Sequence, residues 1–280
     1  MFYNVFLAFL GFFVILFPVY LWGYGTTLVL GYGWQRMRFL MGIIVGSISV
    51  MIMFFLEKYA HSSNMLLTAG FILVGLLCSL YVGIRILTYY GSPFARVFLR
   101  RIALGHIILI FLVTLGLLFF ASIFPSMTLF VGLSFAFLTT SLFEEASKHL
   151  VSIGLAGQDF KFSKSDILTF TLFSVLGFVF CENIFYLFYD EATLGQWLYR
   201  SLFTLVAHIV ASSLCAYYWW KALSYELFSV KYIGYFVLGF LLASGLHTLY
   251  NLLLQENAFL GLISYIIIGY MTLIILFAKK

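Results

Sequence analysis

Charge is what this sequence has least of: 9% of its residues are charged and 64% are hydrophobic. That balance excludes an ordinary soluble domain, which could not hide so much apolar surface. Cysteine is scarce too. Cys78, Cys181 and Cys215 lie far apart inside apolar runs, which excludes a disulfide framework and any C-x-x-C metal or redox motif, so they read as packing residues. Internal repeats and low-complexity tracts are lacking, and the stretches between apolar runs are too short for a soluble domain. The first run, MFYNVFLAFLGFFVILFPVYLW, has no basic n-region and exceeds the usual length of a signal-peptide core, so it is read as a retained helix.

What is there is a series of long apolar runs. Each has about 18 residues or more, enough to cross a hydrocarbon core of roughly 30 Å at about 1.5 Å per helical residue. The runs do not alternate apolar with polar residues, which disfavours barrel strands. The expected fold is all-α, a polytopic transmembrane bundle forming a single membrane domain over residues 1–280. Nine spans are expected, at roughly residues 2–22, 39–56, 65–88, 102–122, 134–156, 167–189, 199–220, 232–254 and 259–278. Residues 122–133, around Pro125, are expected to form an outer loop or re-entrant piece. Gly42 and Gly46 form a G-x-x-x-G, the signature of close helix packing.

Lysine and arginine accumulate on the cytoplasmic side of short loops. With the N-terminus outside, 13 of the 15 basic residues fall on the inner side and only Lys58 and Arg200 on the outer side. This split predicts an odd number of spans, N-out and C-in. The net charge of +5 is then an orientation signal and gives no reason to invoke nucleic acid.

An ionisable side chain inside a bilayer is costly, so those that cannot be assigned to loops are candidates for function. Seven of the ten acidic residues fall in or beside loops; Glu144, Glu145 and Glu182 do not. His208 and His247 likewise sit deep in apolar runs, whereas His61 is in a loop, His106 begins a helix and His149 follows Lys148. Glu182, His208 and His247 each lie eight residues from a polar residue at the outer end of their helix (Asp190, Arg200 and Gln255), about 12 Å deep. Residues four apart share a helix face, which pairs Glu144 with Lys148, Phe178 with Glu182 and His247 with Asn251. Glu145 lies about 100° round from Glu144.

Peptide hydrolysis in a membrane requires a base to activate water, donors for the oxyanion and a wet cavity closed to lipid. The glutamates and histidines supply the first; Asn251 and His247 could donate to the oxyanion. Zinc bound by glutamates and histidines is chemically reasonable. No aspartate lies deep in a helix and no H-E-x-x-H occurs, which disfavours aspartyl and zincin-type sites. Serine or cysteine nucleophiles (Ser212, Ser244, Cys181) remain conceivable, as does a structural ion pair between Glu145 and Lys148. The cluster would also suit a proton or cation path in a transporter, although no second cluster, inverted repeat or glycine/proline-broken helix pair accompanies it.

The series Glu144-Glu145-Ala-Ser-Lys148, Phe178-Val-Phe-Cys-Glu182-Asn183, His208 and His247-Thr-Leu-Tyr-Asn251 resembles the E-E-x-x-K, F-x-x-x-E, H and H-x-x-x-N/D motifs of the PrsW family. That family is a branch of the glutamic intramembrane proteases related to the CAAX prenyl proteases. The resemblance covers about residues 140–255, within the span 134–256; residues 1–133 and the last helix, 257–280, are not covered by it. It implies an intramembrane endopeptidase acting on a membrane-protein substrate in a prokaryotic cytoplasmic membrane. Glu144 would be the base, Glu182 would position the water, and Glu145 or Lys148 would orient the cluster. His208 would position water or complete a metal site, for which Glu145, Glu182, His208 and His247 are the candidate ligands and zinc the candidate ion. Phe178 and Asn183 are expected to support the site. The family also contains non-catalytic binding or scaffold relatives, and its activity has been ascribed both to glutamate-activated water and to a metal.

Overall fold

The computed structural model describes residues 16–21, 23–24, 44, 50, 104–113, 141–153, 163–189, 194–256 and 258–278. Among them every regular element is helical. They comprise α1 (Leu104–Val113), α2 (141–153), α3 (Lys164–Tyr189), α4 (Leu194–Tyr199), a π-helical turn (Arg200–Thr204), α5 (Leu205–Ala222), α6 (Val230–Gln255) and α7 (Phe259–Ala278). The expected spans at 2–22, 39–56, 65–88 and 102–122 lie wholly or mostly outside the described residues, as does the expected loop at 122–133. The fifth to ninth expected spans each overlap a described helix.

Three helices are long and apolar enough to cross a membrane: Lys164–Tyr186, Trp197–Ala222 and Val230–Leu254. Their ends have local causes. Ser163 caps α3 by accepting from the Asp166 amide at 3.1 Å while its hydroxyl donates to the Asp166 carboxylate, a reciprocal cap. The turn after α5 carries Phe228 at φ 62°, and Ser229 then caps α6 by accepting from Tyr232 N.

The seventh span differs from expectation at its start. Leu194 to Tyr199 are already helical and continue through the π-turn into α5, so Arg200, expected at the outer end of its span, lies inside a longer helix. The tetrapeptide hydrogen-bond pattern is widened there by one residue, as in helices carrying an insertion.

α5 is the centre of this part of the molecule, packing against α3, α6 and α7. Two glycines let α6 and α7 approach α5 closely. A Cβ on Gly239 would lie 2.3 Å from Tyr218 Cβ, and one on Gly269 would lie 2.7 Å from a Val210 methyl. α3 is almost wholly covered, whereas α7 turns Leu260, Ile268 and Ile274 outward. Such an apolar outer surface is suited to lipid.

Candidate active site

α2, α3, α5 and α6 converge on one buried polar cluster. The segment containing α2 cannot present both of its adjacent glutamates in one direction, because neighbours on a helix diverge by about 100°. Glu145 is fully engaged. Its Oε1 accepts from Lys148 Nζ at 2.7 Å and contacts His247 Nδ1 at 3.0 Å, and its Oε2 accepts from Ser212 Oγ at 2.6 Å. Glu144 is the opposite case. Its Oε2 is buried without a hydrogen-bond partner, 3.4 Å from His247 Nε2, 3.6 Å from Lys148 Nζ and 3.9 Å from His208 Nδ1.

Lys148 is 1% exposed and stands at the hub of the cluster. Besides the two glutamates it reaches His208 Nδ1 at 2.6 Å and lies 4.4 Å from the centre of the Phe178 ring. The cation–π contact and charge-assisted hydrogen bonds account for a lysine this deep in apolar surroundings. Ser174 Oγ of α3 donates to the Lys148 carbonyl at 2.7 Å and fixes α2 against α3 at that point.

On α3, Glu182 is gripped from two sides. Arg200 Nη2 lies 2.9 Å from Oε1, and His208 Nε2 lies 3.1 Å from Oε2, the latter a close polar contact without hydrogen-bond alignment. Arg200 Nε also donates to Asn183 Oδ1 at 3.3 Å, and its guanidinium stacks 3.5 Å from the Tyr186 ring.

These contacts select ring tautomers. A lysine ammonium can only donate, so His208 Nδ1 must accept, leaving the proton of the neutral ring on Nε2, towards Glu182. An ionised carboxylate can only accept, so His247 Nδ1 carries its proton towards Glu145 and leaves the Nε2 lone pair facing Glu144. The two rings lie edge to face, 4.5 Å apart.

Eight of the residues singled out in the sequence therefore come together: Glu144, Glu145, Lys148, Phe178, Glu182, Asn183, His208 and His247. Asn251, one turn beyond His247, is half-buried and has no hydrogen-bond partner among the described residues. Arg200 and Ser212 were not anticipated as supports. Ser212 lies four residues after His208, on the same face, and that spacing was the available signal. Arg200 carried none while it was read as the outer end of its helix.

Three donors could hold a metal ion. Glu144, His208 and His247 each offer a ligand atom within 4.8 Å of the others. Their number and type match a catalytic zinc site with one open position, and the carboxylate on His247 Nδ1 is the usual way a ligating imidazole is oriented. The expected group of Glu145, Glu182, His208 and His247 is not the one that converges: the Glu145 oxygens are taken up by Lys148, His247 and Ser212, and Glu144 stands in the donor position instead.

A second polar cluster lies outside this one. His106 Nδ1 and His149 Nε2 are 3.0 Å apart, and His106 Nε2 is 2.7 Å from the Tyr232 hydroxyl. Phe236 stacks on His106 with ring centres 3.9 Å apart, and Trp219 stands edge-on to both imidazoles. The group ties α1, α2 and α6 together.

No curated protein and no solved structure matches the chain. A family model described as PrsW family intramembrane metalloprotease matches residues 94–278, a stretch holding every residue of both clusters. The match covers well over half of the 280 residues, and the chain belongs to the PrsW family of intramembrane proteases.

Proposed function

We propose that this integral membrane protein is an endopeptidase that hydrolyses a peptide bond of a membrane-protein substrate, with Glu144 as the base. The observation that carries the reading is the contrast between the adjacent glutamates: Glu145 has every oxygen occupied, while Glu144 Oε2 is buried and uncommitted. Proton transfer needs a carboxylate oxygen that is not already taken up by hydrogen-bond donors, which Glu144 Oε2 offers and Glu145 does not.

In this reading Glu144 takes a proton from water as the oxygen attacks the scissile carbonyl carbon. The same carboxyl then returns the proton to the amide nitrogen as the carbon–nitrogen bond breaks. His208 and Glu182 position the water. Asn251 donates to the oxyanion, and the Lys148 ammonium in the cluster favours negative charge there. Glu145 holds the His247 ring and Lys148 in place.

Glu144, His208 and His247 are donors of the type that zinc takes, and an ion held by them would supply Lewis-acid polarisation and a lowered water pKa, but the Lys148 ammonium already contacts two of the three. The chain is further read as a nine-span protein of a prokaryotic cytoplasmic membrane, N-out and C-in.

The test is cleavage of a panel of transmembrane-helix peptides by purified protein in detergent and in liposomes. Glu144→Gln should lower turnover by about 10²-fold or more while peptide binding survives, since an amide cannot take the proton. Ion or proton flux in liposomes without any peptide product would overturn the reading in favour of transport.

A further inference from the structure

We propose that the Lys148 ammonium is the resident cation of this cluster, so that Lys148 and a divalent metal are alternative occupants of the space between Glu144, His208 and His247. The inference deepens the protease reading, because a lysine in that place keeps Glu144 free to act as the base. It concerns metal binding alone, however, and its test does not need turnover.

Three observations support it. First, Lys148 Nζ touches two of the three candidate ligands, at 2.6 Å from His208 Nδ1 and 3.6 Å from Glu144 Oε2. The Nδ1 lone pair is committed to Lys148, and the other nitrogen of His208 faces Glu182, so His208 cannot ligate a metal without losing one of these contacts. Second, the position of Nζ is set by covalent spacing. Lys148 follows Glu144 by four residues and Glu145 by three on one helix, the separations at which side chains meet, its side chain is fully buried, and Nζ lies over the Phe178 ring. Third, the charges are already nearly balanced. Glu144, Glu145 and Glu182 bring three negative charges, while Lys148 and Arg200 bring two positive ones. A divalent ion added beside Lys148 would leave an excess of positive charge in a buried site, and two cations a few ångströms apart repel strongly at low dielectric.

The experiment is zinc binding to the purified full-length chain in detergent, read as metal content after dialysis against micromolar zinc and as the shift of the unfolding midpoint on adding zinc. The parent should retain well under one zinc per chain and show no zinc-dependent shift. Lys148→Met, of similar length and uncharged, should bind one zinc per chain at least about tenfold more tightly than the parent and be stabilised by it. Glu144→Gln in that background should remove the gain, and Lys148→Arg, which keeps the charge, should not bind. Should Lys148→Met fail to fold, the parent alone decides. One tightly held zinc per parent chain, lost with Glu144→Gln, overturns the proposal, and so does equal zinc affinity in the parent and a folded Lys148→Met. Absence of peptide cleavage with the expected zinc behaviour would count against the protease reading and leave this one standing.

Discussion

The residue that most changes the picture of the site is Arg200. Its two contacts with Glu182 and Asn183 make it a partner of α3, and the guanidinium lies flat on Tyr186 while remaining 18% exposed at its side chain. Held by Arg200 on Oε1 and His208 on Oε2, the Glu182 carboxylate has a defined orientation. Replacing Arg200 with glutamine leaves that carboxylate with one polar neighbour and removes the ionic grip, whose loss at a mostly buried site costs a few kcal/mol at most. Arg200→Gln should lower kcat by roughly tenfold or more with a smaller change in KM, and Arg200→Lys should restore part of it, because charge is retained while the fork to Asn183 is lost. Kinetics on one cleaved peptide check this, and an unchanged kcat in Arg200→Gln would remove the positioning role. The same residue shows where sequence reading stops. Glu144, Glu182, His208 and His247 were legible because each is costly inside an apolar run, whereas a basic residue near a helix end is equally compatible with a loop. His106 and Tyr232 are 126 residues apart and neither position is costly by itself, so their hydrogen bond could not have been foreseen.

At the scale of the element, the π-turn explains how Arg200 and His208 reach one carboxylate. Eight residues of α-helix rotate by about 800°, leaving the ends some 80° apart; a turn that absorbs one extra residue removes about 100°, bringing them to within about 20°. The two side chains then approach opposite oxygens of Glu182, with the long arginine covering the axial distance. This geometry yields an unusual expectation. Deleting Leu202, an exposed residue inside the π-turn, should convert it to regular α-helix and leave the faces of Arg200 and His208 aligned. Activity should fall no more than a few-fold. Deleting Leu214 instead, in the regular part of α5, shifts everything after it by about 100° relative to His208 and should abolish folding or activity. Loss of function in both deletions would mean that the π-turn is needed for itself. The spans at 167–189, 232–254 and 259–278 were predictable to within about three residues from hydropathy and length. The π-turn was not, because a one-residue widening of the hydrogen-bond ladder leaves no compositional mark.

For the whole molecule, the distribution of cations connects the described helices to the orientation expected of the chain. Lys164 at the start of α3 lies over the Tyr217 and Trp220 rings near the end of α5, and Lys221 lies over Tyr217, Tyr218 and Tyr235. Lys231, at the start of α6, lies over Tyr225, which stacks on Tyr235. Three lysines from three elements thus meet aromatic rings at one end of the bundle, the pattern of a membrane–water interface, which the expected orientation would put on the cytoplasmic side. Arg200 is at the far end of the same helix and is drawn inward to Glu182, so it no longer counts as a loop charge on the outer side. With Lys148 also taken into the cluster, 12 of the 15 basic residues argue for the inner side and Lys58 alone for the outer. Glu182, His208 and His247, which meet Arg200's end of the bundle, would lie nearer the outer surface, and a substrate would be cut in its outer half. The expectation follows that a tag after Lys280 is reached only from the cytoplasm and a tag before Met1 only from outside, in intact cells and in inverted vesicles compared side by side. Labelling of both tags from one side would remove the odd number of spans, and a reversed pair would place the cut in the inner half instead.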